Sequence, residues 1–167
     1  MIHVYTGNGK GKTTAALGLA IRAAGAGLKV YIAQFAKGRN YCELRSLKKF
    51  PNIRCEQFGT ACFIRKKPGK KDIALAKDGI KKLEKILKSD TYRLVIMDEA
   101  NIALHLGLIT LSQLKQLCKV ALKNKEIVIT GRYAAPEIIR LADLVSEVKE
   151  IKHYYRRGIK ARRGIEF

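Results

Sequence analysis

Short apolar runs and amphipathic stretches alternate along the whole chain. Compact apolar runs indicate buried strands, whereas apolar residues three and four apart indicate helices. This pattern predicts strands over residues 2–6, 28–35, 53–58, 94–97, 126–130 and 144–151. It predicts helices from Lys12 to the glycines at 25–27, over 43–50 and over 72–87. A further helix is predicted to open with the capping box of Thr110 and Gln113, and another from Pro136.

Strands that alternate with helices predict an α/β fold, with a mainly parallel sheet and helices on both of its faces. The 167 residues fit a single domain, 1–167. Ligands of such sheets bind beyond the carboxyl ends of the strands. Three polar features follow strands there: the loop after Thr6, the pair Asp98 and Glu99, and the pair Gly131 and Arg132. We therefore expect these features to form one site.

The loop after the first strand has the composition of a phosphate-binding loop. Residues 6–14 read TGNGKGKTT, and they depart from the template G-x-x-x-x-G-K-[ST] in Thr6, which stands where the first glycine is expected. Glycines let backbone N–H groups face phosphate oxygens, and the N-terminus of the following helix adds a positive dipole. We expect nucleotide binding by Gly7, Asn8, Gly9, Lys10, Gly11, Lys12, Thr13 and Thr14.

Two residues of this loop have distinct expected roles. Lys12 supplies a charge for the terminal phosphates, and the hydroxyl of Thr13 can ligate Mg²⁺. Lys10 either adds charge toward the phosphates or is a solvated surface lysine, and the sequence leaves both open. The loop and the predicted sheet together indicate the P-loop NTPase architecture of the RecA type.

An acidic pair follows the strand at 94–97. Asp98 and Glu99 at the tip of a buried strand can hold Mg²⁺ directly or through water, although Asp98 could instead cap the helical stretch that follows. Arg132 could reach a phosphate or form an ion pair in its loop. Arg22 lies ten residues after Lys12 and could be a surface residue of the first helix.

Basic residues strongly outnumber acidic ones. The chain has 34 Lys and Arg against 14 Asp and Glu, a net charge of +20. Such an excess favours anionic ligands, among them polyphosphates and nucleic acid. A nucleic-acid-binding protein with a basic tail at 149–163 is therefore one alternative. A P-loop kinase or ATPase that cleaves the β–γ phosphate bond is another.

The cysteines and the apolar runs bear on the cellular compartment. The four cysteines, Cys42, Cys55, Cys62 and Cys118, form no C-x-x-C pair and no zinc-finger spacing with histidine. We expect reduced thiols rather than a metal site. No apolar run reaches the ~18 residues of a membrane span, and the N-terminus does not read as a signal peptide. We therefore expect a cytoplasmic protein.

Five stretches, spread over nearly the whole chain, share a pattern with one enzyme family. They are residues 6–25, VYIAQFAKG at 30–38, VIMDE at 95–99, ITGR at 129–132 and GIKARRGIEF at 158–167. These stretches resemble the ATP:cob(I)alamin (corrinoid) adenosyltransferases of the phosphate-loop type. The closing pattern Gly-Ile-x-Ala-x-x-Gly-Ile-Glu-Phe is specific to that family.

The resemblance implies adenosyl transfer rather than phosphoryl transfer. In this family ATP lies reversed along its loop, and the Co(I) of a reduced corrinoid attacks the ribose 5′ carbon and releases triphosphate. The substrates would be ATP, with Mg²⁺, and cobalamin or another corrinoid, while an electron donor supplies Co(I). A glycine loop, a lysine, Mg²⁺ and a helix dipole suit a leaving group that gathers negative charge. The resemblance also implies a homodimer and no nucleic-acid partner.

Matching positions carry the family's roles onto this chain. The catalytic residues would be Lys12, Thr13 and Glu99, and Mg²⁺ would be held by Thr13 and Glu99 with Asp98. ATP would contact residues 7–14, Arg22 and Arg132, with Arg22 near the nucleoside.

One departure from the family concerns the corrinoid. Relatives often have Gly-Phe-Thr-Trp near it, whereas this chain reads GTACFI at 59–64 and has no tryptophan. Phe63 and Ile64 are therefore candidates for the surface that faces the cobalt, and packing in the core is the alternative.

Overall fold

The structure, a computed structural model, describes residues 1–60 and 67–167. Six strands lie in this part of the chain: β1 Ile2–Thr6, β2 Val30–Phe35, β3 Ile53–Phe58, β4 Leu94–Asp98, β5 Glu126–Thr130 and β6 Leu144–Glu147. They pair in parallel in one sheet of order β3-β2-β4-β5-β1-β6. The predicted parallel sheet is confirmed, and the strands that precede the three polar features, β1, β4 and β5, are neighbours at its centre.

Helices connect the strands within the same described ranges. They are α1 Lys12–Gly25, α2 Cys42–Leu47, α3 Lys70–Lys88, α4 Ala100–His105, α5 Leu111–Val120 and α6 Pro136–Leu141, and a 3₁₀ turn follows at Tyr154–Arg157. The predicted caps are confirmed at two of them. Thr110 and Gln113 form the capping box of α5, and Pro136 opens α6, where its missing N–H costs nothing.

Among the residues that the structure describes, two apolar cores fill the two faces of the sheet. α1 and α2 cover one face, where Ala16 packs with Val30 and Ile32. α3, α4, α5 and α6 cover the other face, where Tyr31 and Phe35 are buried. Neighbouring residues of β2 thus enter opposite cores, as the two-residue period of a strand requires. Helices on both faces are therefore confirmed.

Some element ends differ from the prediction. β2 begins at Val30 rather than residue 28, α2 ends at Leu47 rather than residue 50, and α3 begins at Lys70 rather than residue 72. The largest difference is at β6, which ends at Glu147 rather than residue 151. Beyond Glu147 the backbone leaves the strand pattern and bonds the phosphate-loop region instead. The amide of Val148 donates to Thr6 O at 2.8 Å, and Val148 O accepts from the Gly9 amide at 2.7 Å.

The register of the sheet aligns the strand ends that carry polar side chains. Gln34 of β2 pairs with Asp98 of β4, and Tyr5 of β1 pairs with Thr130 of β5. These pairs lie at the carboxyl edge, where parallel α/β sheets bind ligands. Among the helices of residues 1–60 and 67–167, none is long and apolar enough to cross a membrane.

Candidate functional site

The phosphate-binding loop runs from the end of β1 to the start of α1. Gly7 and Gly11 have φ values of 97° and 121°, in the left-handed region that favours glycine. Gly11 is the N-cap of α1, so the free N–H groups of the helix open toward the loop. Thr6, the departure from the template, accepts a hydrogen bond on Oγ1 from the amide of Ala134 at 3.4 Å. The threonine thus ties the loop to the segment after β5.

Lys12 is held inside its own loop. Its side chain is buried, with 7% relative exposure, and Nζ donates to the carbonyl of Gly9 at 2.6 Å. Burial lowers the pKa of Lys12, the carboxylate of Glu99 opposes that shift, and the charge of Arg132 adds to it. The partner of the ammonium is therefore a neutral carbonyl. An anionic phosphate oxygen that replaces it forms a stronger, charge-assisted hydrogen bond.

Asp98 lies at the centre of a buried polar cluster. Its Oδ1 accepts from Thr13 Oγ1 at 2.9 Å and from Thr130 Oγ1 at 2.7 Å. Its Oδ2 accepts from Gln34 Nε2 at 3.2 Å and from Lys37 Nζ at 2.8 Å. The alternative in which Asp98 caps a helix is wrong, because Asp98 is the last residue of β4 and the N-cap of α4 is Glu99.

Lys37 is the cation of that cluster. It lies two residues beyond β2, and its Nζ is also 3.4 Å from Thr13 Oγ1. Burial by itself would lower the pKa of Lys37, but the neighbouring carboxylates, Asp98 foremost, outweigh burial and hold the pKa above its ordinary value. The side chain is therefore a buried ammonium paired with a buried carboxylate.

Glu99 adopts a backbone conformation that is unusual for a residue with a side chain. Its φ is 57°, and its amide donates to Thr130 Oγ1 at 2.9 Å. Burial raises the pKa of Glu99, and the charge of Asp98 raises it further. A carboxylate forced into a strained turn beside another carboxylate is typical of a functional position rather than of a stability device.

The loop after β5 closes around Glu99. Gly131 has a φ of 128°, and a Cβ there would lie 3.0 Å from Asn101 Cβ and 3.2 Å from Glu99 Oε2. Asn101 is fully buried, and its Nδ2 donates to the Gly131 carbonyl at 3.3 Å. Arg132 follows with its side chain exposed, close enough to Glu99 and Lys12 to act on both pKa values. The strand ends of β1, β4 and β5 thus meet as expected.

Lys10 does not point freely into solvent. Its Nζ donates to Tyr154 Oη at 2.8 Å and to Glu166 Oε1 at 2.7 Å, and the Tyr154 hydroxyl also donates to Glu166. Glu166 belongs to the closing GIEF signature, so that signature contacts the phosphate loop directly. The amide of Arg162 donates to Glu166 Oε2 at 2.6 Å and completes the cluster.

The remaining predicted residues are more scattered. Asn8, Thr14 and Arg22 are exposed. At 1.5 Å per residue, Arg22 lies about 15 Å along α1 from Lys12, so only an extended ligand reaches both. Burial raises the pKa of Tyr5, and the charge of Arg22 partly offsets that rise. Phe63 and Ile64 lie outside the described residues.

Sequence reasoning missed three side chains of the polar cluster: Gln34, Lys37 and Thr130. Each lies at or just after the carboxyl end of a buried strand, as Asp98 does. A search for polar residues at every strand end would have found them. Gln34 and Lys37 lie in the stretch 30–38 and Thr130 in the stretch 129–132, both of which resemble the family. Their contact with Asp98, however, depends on the strand order that brings β2 and β5 to either side of β4.

The cluster fits a hydrated divalent cation. Mg²⁺ prefers oxygen ligands in octahedral geometry and is bound by one or two carboxylates together with substrate phosphates. Thr13 Oγ1 and Asp98 offer such oxygens at the mouth of the phosphate loop, and Glu99 lies beside them. The ammonium of Lys37 already stands as a cation against Asp98, which shows that this position stabilises positive charge.

Comparisons with known proteins point in one direction. A family model described as ATP:corrinoid adenosyltransferase BtuR/CobO/CobP matches residues 1–167. A corrinoid adenosyltransferase of Pseudomonas aeruginosa is 36% identical over 166 residues, which cover 98% of this chain and 82% of that protein. A corrinoid adenosyltransferase of Escherichia coli K12 is 32% identical over 167 residues, covering 100% of this chain and 85% of that protein.

A solved structure supports the fold independently. The crystal structure of the RadB recombinase superposes with a TM-score of 0.52 at 13% identity, over 90% of this chain and 76% of that one. The similarity concerns the fold alone, and it confirms the predicted RecA-like architecture.

Proposed function

This chain belongs to the ATP:corrinoid adenosyltransferase family, and we propose that it transfers the 5′-deoxyadenosyl group of ATP to the Co(I) centre of a reduced corrinoid. The cobalt electron pair forms the bond to C5′, and the triphosphate leaves with the electron pair of the C5′–O bond that breaks. The observation that carries the proposal is the family match over the whole chain. The clustering of Lys12, Thr13, Asp98 and Glu99 at one strand edge supports it.

The task of the loop in this reaction is to stabilise the leaving triphosphate. Its N–H groups and the N-terminus of α1 are fixed before the charge develops, which is the condition under which electrostatic stabilisation is most effective. We assign the triphosphate to residues 7–14, with Lys12 exchanging its bond to the Gly9 carbonyl for a phosphate oxygen. Arg132 is near enough to add a second positive charge, and we assign the nucleoside to Arg22.

Mg²⁺ is the metal that we propose for the nucleotide. It would neutralise charge on the triphosphate oxygens, and Thr13, Asp98 and Glu99 are the residues that would hold it. Lys12, Thr13 and Glu99 remain our catalytic set. Proton transfer is not required by this chemistry, because Co(I) is itself the nucleophile and the leaving group departs as an anion.

The corrinoid side of the site is proposed on sequence alone. Phe63 and Ile64 would form an apolar surface against the cobalt, which would exclude water and lower the coordination of the metal. An electron donor must supply Co(I), because ATP and the residues of this chain carry no reductant of sufficient strength. A homodimer is proposed from the family resemblance.

We also propose a cytoplasmic location and no nucleic-acid partner. The cysteines that the structure describes, Cys42, Cys55 and Cys118, are free thiols, as expected in a reducing compartment. The positive charge of the chain suits two anionic ligands, the triphosphate of ATP and the phosphate in the nucleotide tail of a corrinoid. Strongly salt-dependent binding to duplex DNA would contradict this part of the proposal.

The deciding experiment incubates the protein anaerobically with ATP, Mg²⁺ and chemically reduced cobalamin. We expect the absorption spectrum of adenosylcobalamin and release of triphosphate. ADP as the product, with no spectral change, would overturn the proposal in favour of a kinase or ATPase.

A pair of lysine variants localises the activity. Lys12→Ala should lower the rate by about 100-fold or more, because a positioned charge at the leaving group is lost. Lys49→Ala removes one charge from the exposed end of the α2 segment and is the matched control. Circular dichroism should show both variants folded. Full activity in Lys12→Ala would mean that the loop is not the triphosphate site.

A further inference from the structure

The position of Lys37 is built by its backbone surroundings. Ala36, just before it, has a φ of 52°, which is uncommon for a residue with a side chain. A Cβ on Gly59 would lie 2.5 Å from the Lys37 amide nitrogen, and a Cβ on Gly38 would overlap the Gly59 carbonyl oxygen. Two glycines and a strained alanine thus let the segments after β2 and β3 pack backbone to backbone, which fixes where the lysine side chain begins.

From this position the side chain reaches the centre of the polar cluster. Lys37 Nζ lies 2.8 Å from Asp98 Oδ2 and 3.4 Å from Thr13 Oγ1. The two side chains of the ion pair are 14% and 1% exposed. A buried carboxylate requires a compensating positive charge, because an unpaired one is strongly destabilising. Lys37 supplies that charge.

Thr13 and Asp98 are two of the three residues to which our proposed function gives Mg²⁺. A divalent cation and an ammonium cannot both contact Asp98 Oδ2 and Thr13 Oγ1 at these distances, since like charges at close range in a buried site repel strongly. Entry of the metal therefore requires the ammonium to leave. A triphosphate supplies the negative charge that makes both steps favourable, because it neutralises the incoming metal and offers the lysine other anionic oxygens.

We propose that Lys37 is a resident counter-cation that keeps the metal site closed until a nucleotide arrives, so that Mg²⁺ enters with ATP and not before it. The inference rests on the proposed function, since it needs Thr13 and Asp98 as metal ligands. It makes Lys37 a positioning residue. Its role is to hold Asp98 and Thr13 in place while no nucleotide is bound and to prevent occupation by free metal.

The test measures Mn²⁺ binding to the nucleotide-free protein by electron paramagnetic resonance, with Mn²⁺ as a visible substitute for Mg²⁺. We expect weak binding by the wild type and an affinity about tenfold higher or more in Lys37→Met, because removal of one adjacent like charge shifts an ionic equilibrium by that order. Lys37→Gln, whose amide can still donate a hydrogen bond to Asp98, should gain Mn²⁺ affinity as Lys37→Met does. Lys37→Arg retains the positive charge and should bind Mn²⁺ as weakly as the wild type.

Two controls locate the effect. Lys49→Met removes the same charge from an exposed position and should leave Mn²⁺ affinity unchanged. Adding Asp98→Asn to Lys37→Met should abolish the gained binding. Mn²⁺ affinity in a folded neutral variant equal to that of the wild type would overturn the inference. Tight Mn²⁺ binding by the nucleotide-free wild type would also overturn it, and that measurement needs no variant.

The outcomes separate this inference from the proposed function, because neither ATP nor corrinoid is present. If the wild type forms adenosylcobalamin and Lys37→Met gains no Mn²⁺ affinity, the inference about Lys37 is refuted and the proposed function stands. If Lys37→Met gains Mn²⁺ affinity and the wild type forms no adenosylcobalamin, the proposed adenosyl transfer is refuted and the inference about Lys37 stands.

Discussion

Gly9 lies where the phosphate loop meets the segment that follows β6, and replacing it with alanine tests that contact. A Cβ at Gly9 would lie 2.8 Å from the carbonyl oxygens of both Val148 and Lys149. The Gly9 amide donates to the first of these oxygens at 2.7 Å. The added methyl group therefore pushes the two backbones apart at the point where they are hydrogen-bonded.

The expected cost follows from two contributions. Forcing a methyl group into a filled space typically costs about 1–3 kcal/mol. Weakening the backbone hydrogen bond adds about 0.5–1.5 kcal/mol. We therefore expect Gly9→Ala to lower the free energy of unfolding by about 1.5–4.5 kcal/mol, which is a large share of the stability of a typical domain.

The assay is urea denaturation of the nucleotide-free protein, followed by circular dichroism, so that loss of ligand binding does not enter the result. Gly18→Ala is the matched control. Gly18 lies on the exposed face of α1, and a Cβ there meets nothing within 4 Å. Alanine should raise stability at that position by about 0.5–1 kcal/mol. If Gly9→Ala is as stable as the wild type, the segment at 148–149 does not press on the loop, and the reasoning fails.

Three further variants have expected outcomes. Hydrogen bonds, first of all from Lys10, hold the pKa of Glu166 well below its ordinary value of 4.5, so its ionised form stabilises the folded state above that pH. Glu166→Gln should therefore lower the urea midpoint at pH 7, and the difference from the wild type should shrink below pH 4.5; a constant difference would contradict this. Burial raises the pKa of Glu99 above 4.5, so folding is favoured while it is protonated and weakens as the pH rises through the folded-state value. At pH 7 the melting temperature of Glu99→Gln should be higher than that of the nucleotide-free wild type, and near pH 4 the two should be equal. A lower melting temperature of the variant at pH 7 would contradict this reasoning. A Cβ on Gly79 would lie 2.8 Å from the Phe58 ring, so Gly79→Ala should cost about 1–3 kcal/mol in urea while ATP affinity in the folded variant is unchanged.

The elements that sequence predicted best were those with strong local signals. The ends of β1, β3 and β5 were predicted to the residue, because turn-forming residues bound them: Pro51 and Gly59 flank β3, and glycines follow β1 and β5. The phosphate loop and the first turn of α1 were equally clear, since glycines and the Gly-Lys-Thr sequence have few other uses. The convergence of three strand ends followed from the parallel fold alone.

The elements that sequence predicted poorly were those that depend on distant partners. The segment at 148–151 reads as strand, but β6 ends at Glu147, and Val148 hydrogen-bonds to the end of β1 and to Gly9 of the phosphate loop. Asp98 reads as a possible helix cap, but donors from β2, β5 and α1 surround it. Local patterns contain no information about such contacts.

The sequence by itself determined the fold class, the phosphate loop and the family, because these depend on short-range periodicity and on motifs that are contiguous in the chain. The tertiary structure alone decided that Lys37 pairs with Asp98, and that Glu166 of the closing signature contacts Lys10 of the loop. The residues of each pair are 61 and 156 positions apart. The strand order, which hydrophobic burial of the sheet stabilises, brings Lys37 to Asp98. Hydrogen bonds between the largely exposed C-terminal segment and the loop bring Glu166 to Lys10.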